Sequence, residues 1–387
     1  MSNFSNSFKS FLRGTDFILL LLCIIASSLG VLFVSSATRY KAQGVISSDV
    51  KTMLVAIFLG LLLAILMSFI DTEIYMKLVL PIAGISILLM IAVMIFGVAP
   101  QGREDSKIWL DLKLFYFQPS ELLKIAFILT FAKHLQKVKY DLNRPLNIFL
   151  IFLHAILPFG IVVVSGDDGS ALVFLFLSVV MVFIAGISWK YIVSSIVLVA
   201  SALPLLWLKL NTFQKQRFYV LFKPDEYPDV AYQQDRALDA IKSGGFTGSG
   251  IFKGIYTQNY LVPKAENDFI FSVVCEEAGM IGALFVLLLF LAIIVKVILV
   301  AKKAEDFSAK MICYGVSTLI SIQILINISM VLRLGPVIGI TLPFFSAGGS
   351  SSLCLYLGIG LVLSVYRSNS FTPIQTVRYR VGNRYTV

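Results

Sequence analysis

Long apolar runs separated by short polar stretches make up most of this 387-residue chain. A run of about 20 apolar residues is long enough to cross the ~30 Å hydrocarbon core of a bilayer as a helix. Such runs predict ten membrane-spanning helices, near residues 17–36, 53–70, 75–98, 119–136, 145–164, 170–187, 190–208, 269–300, 310–332 and 349–366. The pattern therefore predicts an all-α polytopic membrane protein that forms a single integral membrane domain over residues 1–387.

One stretch does not follow this pattern. Residues 208–268, between the seventh and eighth predicted helices, are polar, charged and rich in Gly, Pro and Tyr. A long ordered segment on a membrane scaffold is usually functional. Asp268 is the last charge before the chain becomes apolar again, and a carboxylate in such a position is a candidate functional group.

Composition and charge support the membrane prediction. Hydrophobic residues make up 58% of the chain, and the mean hydropathy is +0.88. The net charge of +10 does not require a nucleic-acid partner, because the basic residues mostly flank the apolar runs. With the N-terminus inside, sixteen Lys and Arg residues fall in cytoplasmic segments, against seven in the short outer loops. The positive-inside rule then predicts both termini in the cytoplasm, residues 368–387 as a cytoplasmic tail and residues 208–268 as a large extracellular loop.

Cysteine and histidine usage does not indicate a metal site. The four cysteines lie far apart within apolar runs, and we interpret them as core residues. The chain has only two histidines, and no HxxxH or CxxC spacing occurs. A site built from His and Cys ligands is therefore not expected.

Charged residues inside two predicted helices need an explanation. Glu121 and Lys124 belong to QPSELLK at residues 118–124, and their spacing of three places them on one helix face. They form either a local ion pair at a capped helix start or part of the wall of an outward-facing cavity. Glu277 follows Asp268 by nine residues, about two and a half helical turns, and either lines the same cavity or has a structural role.

Two turns and a basic segment carry further polar groups. Asp167 and Asp168 precede the sixth predicted helix; one suits a helix N-cap, and the other is a weak cation ligand. The glycine-rich SGGFTGSG at residues 243–250 is either a flexible turn or a loop that presents N–H groups to an anion. Arg217 and Lys264 make the polar segment basic, which indicates either a solvated face or a site for a polyanion such as pyrophosphate.

Five motifs, in order along the chain, resemble those of the RodA/FtsW/SpoVE (SEDS) cell-wall family. They are Trp109 followed by QPSELLK, DDGSAL at 167–172, SGGFTGSG at 243–250, NDFIFSVVCEEAGMIG at 267–282 and NISMVLRLGPVIGITLPFFSAGGSS at 327–351. Trp109 by itself would be interpreted as an interfacial belt residue. The NISM and GPVIG elements resemble the elongation branch, RodA, more than the division branch.

The chain departs from the commoner family residues at four positions, Asp168, Asn267, Arg333 and Thr341. None of these departures removes a residue that is expected to be catalytic. They leave the branch of the family open.

The resemblance implies a peptidoglycan glycosyltransferase in the bacterial plasma membrane. It would polymerise lipid II, a disaccharide-pentapeptide on undecaprenyl pyrophosphate, at the outer face, for cell elongation or division. Asp268 would be the general base that takes a proton from the attacking sugar hydroxyl. The expected substrate-binding residues are Trp109, Glu121, Lys124, Arg217, Lys264, Glu277, Ser346 and Ser350. A divalent cation, Mg²⁺ or Mn²⁺, is a candidate further partner for the pyrophosphate.

The resemblance also implies a protein partner, a class B penicillin-binding protein, the transpeptidase that crosslinks the glycan, and contact with membrane lipids. Two other function classes stay open. A lipid II flippase suits ten helices with charges at membrane depth, although no inverted repeat is visible and the polar groups cluster at one face. A non-catalytic scaffold for division or elongation proteins would tolerate the loss of Asp268.

Overall fold

The structure, a computed structural model, describes residues 14–42, 46–99, 107–113, 115–209 and 212–371. Across these ranges the chain forms fourteen α-helices: α1 (Phe17–Ala37), α2 (Arg39–Ala42), α3 (Ser48–Ser68), α4 (Thr72–Phe96), α5 (Pro119–Val138), α6 (Pro145–Val164), α7 (Asp168–Ile184), α8 (Trp189–Lys209), α9 (Thr212–Phe222), α10 (Pro228–Gly244), α11 (Ile255–Gln258), α12 (Ile270–Lys303), α13 (Phe307–Val331) and α14 (Gly349–Phe371). A 3-10 turn at Pro224–Glu226 and two short antiparallel strands, β1 (Leu110–Asp111) and β2 (Tyr116–Phe117), complete the regular structure of this part. The mostly helical prediction is confirmed.

Several sequence-based expectations concern residues outside these ranges. The predicted cytoplasmic tail beyond residue 371 lies outside the described residues. So do Lys9, Arg13 and Arg103, which contributed to the charge comparison. The last helix extends to Phe371, five residues past the predicted limit of 366.

Within the described part, seven helices are long and apolar enough to cross a membrane: α1, α3, α4, α6, α12, α13 and α14. The multi-pass membrane prediction is therefore confirmed. The other three predicted spans correspond to α5, α7 and α8, which form helices but are not among these seven. α7 has only 17 residues, and α5 carries charged residues along its length, including Glu121 and Lys124.

α5 is the central helix of the bundle. It packs against α4, α6, α7, α13 and α14, and most of its residues are buried, including Glu121 and Lys124. Charges at membrane depth are tolerated where they face other protein groups instead of lipid. This position explains why the sequence of α5 is more polar than that of the lipid-facing helices.

α14 packs along α3 through small residues. A Cβ at Gly60 would lie 2.8 Å from the Cβ of Tyr356, and one at Gly360 would lie 2.9 Å from the Cα of Ala64. Glycine at both positions lets the two helix backbones approach closely, a common basis for helix association in membranes. The Tyr356 hydroxyl is 2.7 Å from Ser27 Oγ, so α1 joins the same packing unit.

The polar segment 208–268 is largely helical and lies on the bundle, where α10 packs against α12 and α13. Gln234 Nε2 donates a hydrogen bond to the carbonyl oxygen of Gly335 at 2.9 Å. Arg333, at the end of α13, forms an ion pair of 2.6 Å with Asp235 of α10. These contacts attach the segment beside the start of α12, where Asp268 lies.

Candidate active site

The main chain around Asp268, two residues before α12, is fixed by two buried side chains. Asn327 Nδ2 donates hydrogen bonds to the carbonyl oxygen of Asp268 at 2.8 Å and to that of Ile340 at 2.7 Å. Ser346 Oγ donates to the carbonyl oxygen of Asn267 at 2.7 Å. Because these bonds use backbone oxygens, they position Asp268 without occupying its carboxylate.

The Asp268 carboxylate is half-buried against the loop that joins α13 to α14. A Cβ at Gly339 would lie 3.5 Å from Asp268 Oδ2, and the φ of Gly339 is +73°, a conformation that favours glycine. Burial raises the pKa of Asp268 above its usual range; Lys264 and Arg217 oppose this rise, and Glu266 adds to it. A carboxylate with raised proton affinity is suited to act as a general base.

Two cations approach Asp268 from the polar segment. Arg217 is on α9 and partly exposed, and Lys264 is exposed with a φ of +54°. The N–H of Asn267 donates to the carbonyl oxygen of Lys264 at 3.0 Å, so a tight turn carries this lysine close to the aspartate. The structure therefore groups three of the predicted site residues, with one carboxylate to accept a proton and two cations to attract an anion.

Glu266 links the site to the first helices. Its Oε1 is 2.6 Å from Lys41 Nζ, and Lys41 also contacts Asp49 at 3.1 Å. The carbonyl oxygen of Glu266 accepts the N–H of Ala347 at 2.9 Å. The chain leading to Asp268 is thus held on one side by α2 and on the other by the loop before α14.

Glu121 and Lys124 form the local ion pair expected from their spacing, with 2.6 Å between Lys124 Nζ and Glu121 Oε1. Only 2% of the lysine side chain and 9% of the glutamate side chain are exposed. The adjoining cavity, which Gly339 also lines, has a volume of about 20 Å³. That volume accommodates a water molecule but not a sugar. Gly339 therefore adjoins both the cavity beside the ion pair and the carboxylate of Asp268.

The turn before α7 is attached to the start of α5. Asp167 Oδ2 accepts a hydrogen bond from Gln118 Nε2 at 2.7 Å, and Oδ1 accepts the N–H of Ser170 at 3.0 Å. The N-cap prediction is confirmed for Asp167. Asp168 instead accepts from Gln214 Nε2 on α9 at 3.2 Å, so the two neighbouring carboxylates have different partners.

Trp109 and Ser350 both belong to the region of the β1–β2 hairpin. Trp109 pairs with Val98 in an antiparallel bridge beside β1. Ser350 Oγ donates to the carbonyl oxygen of Tyr116 at 2.8 Å and accepts the N–H of Gln118 at 3.1 Å. These bonds give Ser350 a role in joining the hairpin to α14, and substrate contact by either residue stays a prediction.

The adjacent glutamates of α12 have different partners. Glu276 accepts the backbone N–H and the hydroxyl of Thr257 at 2.9 and 2.6 Å, which caps α11. Glu277 is buried and accepts hydrogen bonds from Ser36 Oγ and, at 3.2 Å, from Gln258 Nε2. Both glutamates therefore join the polar segment to the bundle, and these contacts favour the structural interpretation of Glu277.

The glycine-rich stretch 243–250 is packed against a break in α12. Gly279, inside this helix, has φ +66° and ψ −168°, which interrupts the helical hydrogen bonds. The N–H of Gly250 donates to the carbonyl oxygen of Glu277 at 3.0 Å, and the N–H of Met280 donates to the carbonyl oxygen of Gly245 at 2.9 Å. The loop supplies backbone partners that the broken helix lacks, so its engaged amides do not form an anion cradle.

Sequence reasoning did not single out Asn327, Gly339, Glu266 or Lys41. Asn327 was detectable, because an amide within a membrane-spanning helix is costly unless it has a partner, although Gln323 of the same helix gives the same signal. The ion pair between Lys41 and Glu266 had no sequence signal, since the two residues are 225 positions apart.

No group of three or more His, Cys, Asp or Glu residues able to hold a metal ion occurs in the described part of the chain. Mg²⁺ is often bound by one or two carboxylates together with substrate phosphates. A cation beside Asp268 would therefore need further oxygen ligands from a bound molecule.

Comparisons with known proteins identify relatives over most of the chain. The profile of the FtsW/RodA/SpoVE family, described as cell cycle protein, matches residues 15–371. Peptidoglycan glycosyltransferase MrdB of Escherichia coli (strain K12) is 31% identical over 346 residues, which cover 87% of this chain and 91% of that protein. Probable peptidoglycan glycosyltransferase FtsW of Thiomicrospira cyclica is 32% identical over 377 residues, which cover 93% and 94%.

Two solved structures share the fold. The rod shape determining protein RodA of Thermus thermophilus aligns with a TM-score of 0.68 and 27% identity over 92% of this chain and 97% of that one. A chain of a peptidoglycan synthase complex, described as coordinating polymerization and crosslinking, gives a TM-score of 0.77 and 27% identity over 93% and 99%. MrdB and FtsW proteins match to similar degrees, so the RodA-like assignment stays a prediction. The chain belongs to the FtsW/RodA/SpoVE cell cycle protein family.

Proposed function

We propose that this protein is a peptidoglycan glycosyltransferase that polymerises lipid II and that Asp268 is its general base. The observation that carries this assignment is a half-buried carboxylate with a raised pKa close to Lys264 and Arg217. Family membership and the glycosyltransferase names of the MrdB and FtsW relatives support the activity. The product would be glycan strands for cell shape or division.

We place the chain in the bacterial plasma membrane with ten spans, in which α5, α7 and α8 complete the set of seven strongly apolar helices. Both termini lie in the cytoplasm, and residues 208–268 form the large extracellular loop. The excess of Lys and Arg on the cytoplasmic side supports this orientation. Asp268, α9 to α11 and the β1–β2 hairpin then share the outer face.

In the proposed reaction, a sugar hydroxyl oxygen of one substrate bonds to the anomeric carbon of the other, and Asp268 accepts the hydroxyl proton. The bond from the anomeric carbon to the pyrophosphate oxygen breaks, and undecaprenyl pyrophosphate leaves with the bonding electron pair. Lys264 and Arg217 stabilise the negative charge that develops on this leaving group. Asn327 and Ser346 hold the main chain of Asp268 and Asn267, which preserves the geometry of the base.

The other predicted site residues divide by burial. Trp109 is partly exposed, and we propose that it borders the bound substrate. A second group is buried and already hydrogen-bonded within the protein: Glu121, Lys124, Glu277, Ser346 and Ser350. We propose that this group supports the shape of the substrate site.

A divalent cation fits the proposed chemistry as a further partner of the pyrophosphate. Asp268 and two substrate phosphates would supply oxygen ligands of the kind that Mg²⁺ or Mn²⁺ prefers. When bound, such an ion would supply positive charge for the leaving group. Polymerisation of labelled lipid II in the presence of EDTA, and with each cation added back, tests this requirement.

We also propose a class B penicillin-binding protein as partner. The similar chain in a synthase complex that coordinates polymerization with crosslinking supports this pairing. Co-purification of the two full-length proteins from membranes, compared with an unrelated single-span membrane protein, tests the contact.

The decisive experiment is incubation of the purified protein with labelled lipid II, alone and with its partner, followed by separation of glycan products by size. We expect wild type to form polymer and Asp268→Asn to form none. Asp229→Asn, at an exposed carboxylate of the same segment, serves as the matched control and should remain active. Normal polymer from Asp268→Asn would reject Asp268 as the base, and no polymer from wild type would favour a scaffold. Lipid II movement across liposomes without polymer would favour a flippase.

A further inference from the structure

An apolar groove runs between α4, α5 and α6, from Leu123 in the first half of α5 to Lys137 near the end of that helix. Its volume of about 600 Å³ lies within the usual range for small-ligand sites, roughly 300–1,000 Å³. Leu123 and Phe127 are buried at its floor, whereas Leu80 and Leu153 are exposed at its rim. Because an apolar rim on a membrane helix faces lipid, an acyl chain can enter this groove from the bilayer.

A chain of hydrogen bonds runs along the groove wall. Thr130 Oγ1 donates to the carbonyl oxygen of Phe127 at 3.0 Å, so its oxygen accepts from His154 Nε2 at 3.1 Å. His154 Nδ1 then accepts from His134 Nδ1 at 3.0 Å. This order leaves Nε2 of a neutral His134 as a hydrogen-bond acceptor in a groove with few polar groups.

Pro158 lines the groove four residues after His154 and has no N–H, so α6 lacks one helical hydrogen bond beside this histidine. The His134 acceptor suits a ligand that carries a hydroxyl donor.

One end of the groove is positively charged. Lys133 and Lys137 lie one turn apart near the C-terminus of α5; both are exposed and both line the groove. Lys133 Nζ donates to the carbonyl oxygen of Met76 at 2.6 Å, which keeps this ammonium group at the groove mouth. A basic pocket between membrane helices is suited to an anionic lipid headgroup. In the proposed orientation this end faces the cytoplasmic leaflet.

We propose that this groove binds one anionic phospholipid of the cytoplasmic leaflet, of the phosphatidylglycerol type. An acyl chain would lie on Leu123 and Phe127, the phosphate would lie between Lys133 and Lys137, and a glycerol hydroxyl would donate to His134. Phosphatidylethanolamine fits less well, because the lysines repel its ammonium group. Only the choice of leaflet depends on the proposed topology, and lipid binding itself does not depend on catalysis by Asp268.

The test uses the purified, delipidated full-length protein, titrated with phosphatidylglycerol or phosphatidylethanolamine and observed by native mass spectrometry. Wild type should retain one phosphatidylglycerol more tightly than phosphatidylethanolamine. Lys133→Ala/Lys137→Ala should weaken phosphatidylglycerol binding on the order of tenfold. Lys77→Ala/Lys139→Ala is the matched control, because both lysines are exposed near the same end but do not line the groove.

A second pair of variants tests the acyl-chain site. Ala83→Phe fills the groove, whereas Ile85→Phe places the same ring on the lipid-facing side of α4. We expect loss of the bound lipid only with Ala83→Phe, while size-exclusion profiles show that both variants are folded. Equal binding of the two lipids, equal losses in the two lysine pairs, or an unchanged adduct in Ala83→Phe would overturn the proposal. None of these results bears on lipid II polymerisation.

Discussion

The side-chain amide of Asn327 donates a hydrogen bond of 2.8 Å to the carbonyl oxygen of Asp268. The same amide also donates to Ile340, so one buried residue joins the candidate base to the loop that contains Gly339. A helix residue far from Asp268 in sequence therefore sets the position of the base.

Replacing Asn327 tests this positioning role. Asn327→Ala removes the donor to the buried carbonyl oxygen of Ile340, at a cost of about 1–3 kcal/mol, and to the partly buried carbonyl oxygen of Asp268, at a smaller cost. We expect reduced stability, together with a lower kcat for polymerisation at a nearly unchanged KM, because the base is displaced while substrate contacts remain. Asn259→Ala, at an exposed asparagine that bonds only within its own turn, is the control. A fully stable and active Asn327→Ala protein would argue against the role.

The pH dependence of polymerisation tests Asp268 as the base. Burial raises its pKa, so activity should fall with decreasing pH at values above the ordinary range of an aspartate. Lys264 lowers this pKa, and its removal in Lys264→Ala should therefore move the acidic limb of kcat/KM to higher pH. Lys253→Ala removes an exposed lysine of the same segment and should leave the limb in place. An unshifted limb in Lys264→Ala would contradict the assignment.

Asp268→Asn should be more stable than wild type at neutral pH although it is inactive. Because the pKa is raised in the folded state, the folded protein binds the Asp268 proton more readily than the unfolded chain does. The stabilisation that results from this tighter proton binding is complete below the pKa of the unfolded state. It is lost as the pH rises through the pKa of the folded state. We therefore expect Asp268→Asn to have a higher Tm than wild type at neutral pH and a smaller difference in acid. A lower Tm at neutral pH would indicate that the charged carboxylate is needed for folding.

Gly248 and Gly186 have similar φ angles but different surroundings, so alanine at each position separates the cost of steric crowding from that of backbone strain. Gly248 has a φ of +82°, and a Cβ there would lie 2.2 Å from the carbonyl oxygen of Glu277. Gly186 has a φ of +93°, and nothing lies within 4 Å of an added Cβ. Gly186→Ala should cost about 1–2 kcal/mol from φ alone, whereas Gly248→Ala should cost about 1–3 kcal/mol more by displacing the loop from α12. Thermal unfolding measures both, and equal losses would mean that the loop is not tightly packed.

Variants of the buried pair Glu121 and Lys124 distinguish a structural role of the pair from direct contact with the substrate. Breaking it with Glu121→Gln or Lys124→Met should cost about 3–5 kcal/mol, because one buried charge then lacks its partner. The double variant should recover most of the stability. If the pair only supports the site, polymerisation recovers with stability; if a substrate group contacts Lys124, the stable double variant remains inactive.

Much of the site was predictable from local sequence. Asp268 is identifiable because a charge at the edge of an apolar run must face protein or water, and Asp167 because an N-cap depends on the residues that follow it. The polar contacts around Asp268 could not be predicted from local sequence. Asn327 and Glu266 act through partners that are distant in the chain, and SGGFTGSG gave no sign that its partner is the break at Gly279.

The sequence by itself determined the membrane class, the approximate positions of the apolar helices, the polar segment between them and Asp268 as a candidate functional group; its role as a base came from the family resemblance. The sequence could do so because the thickness of the bilayer and the cost of an unpaired charge act on each segment separately. Only the tertiary structure decided that α5 is the buried centre, that Glu277 bonds to Ser36 and Gln258, and that Gly339 adjoins both Asp268 and the cavity of the Glu121–Lys124 pair. These relationships arise from packing between helices, and packing partners are chosen by the shape of the whole bundle, which no local run of residues contains.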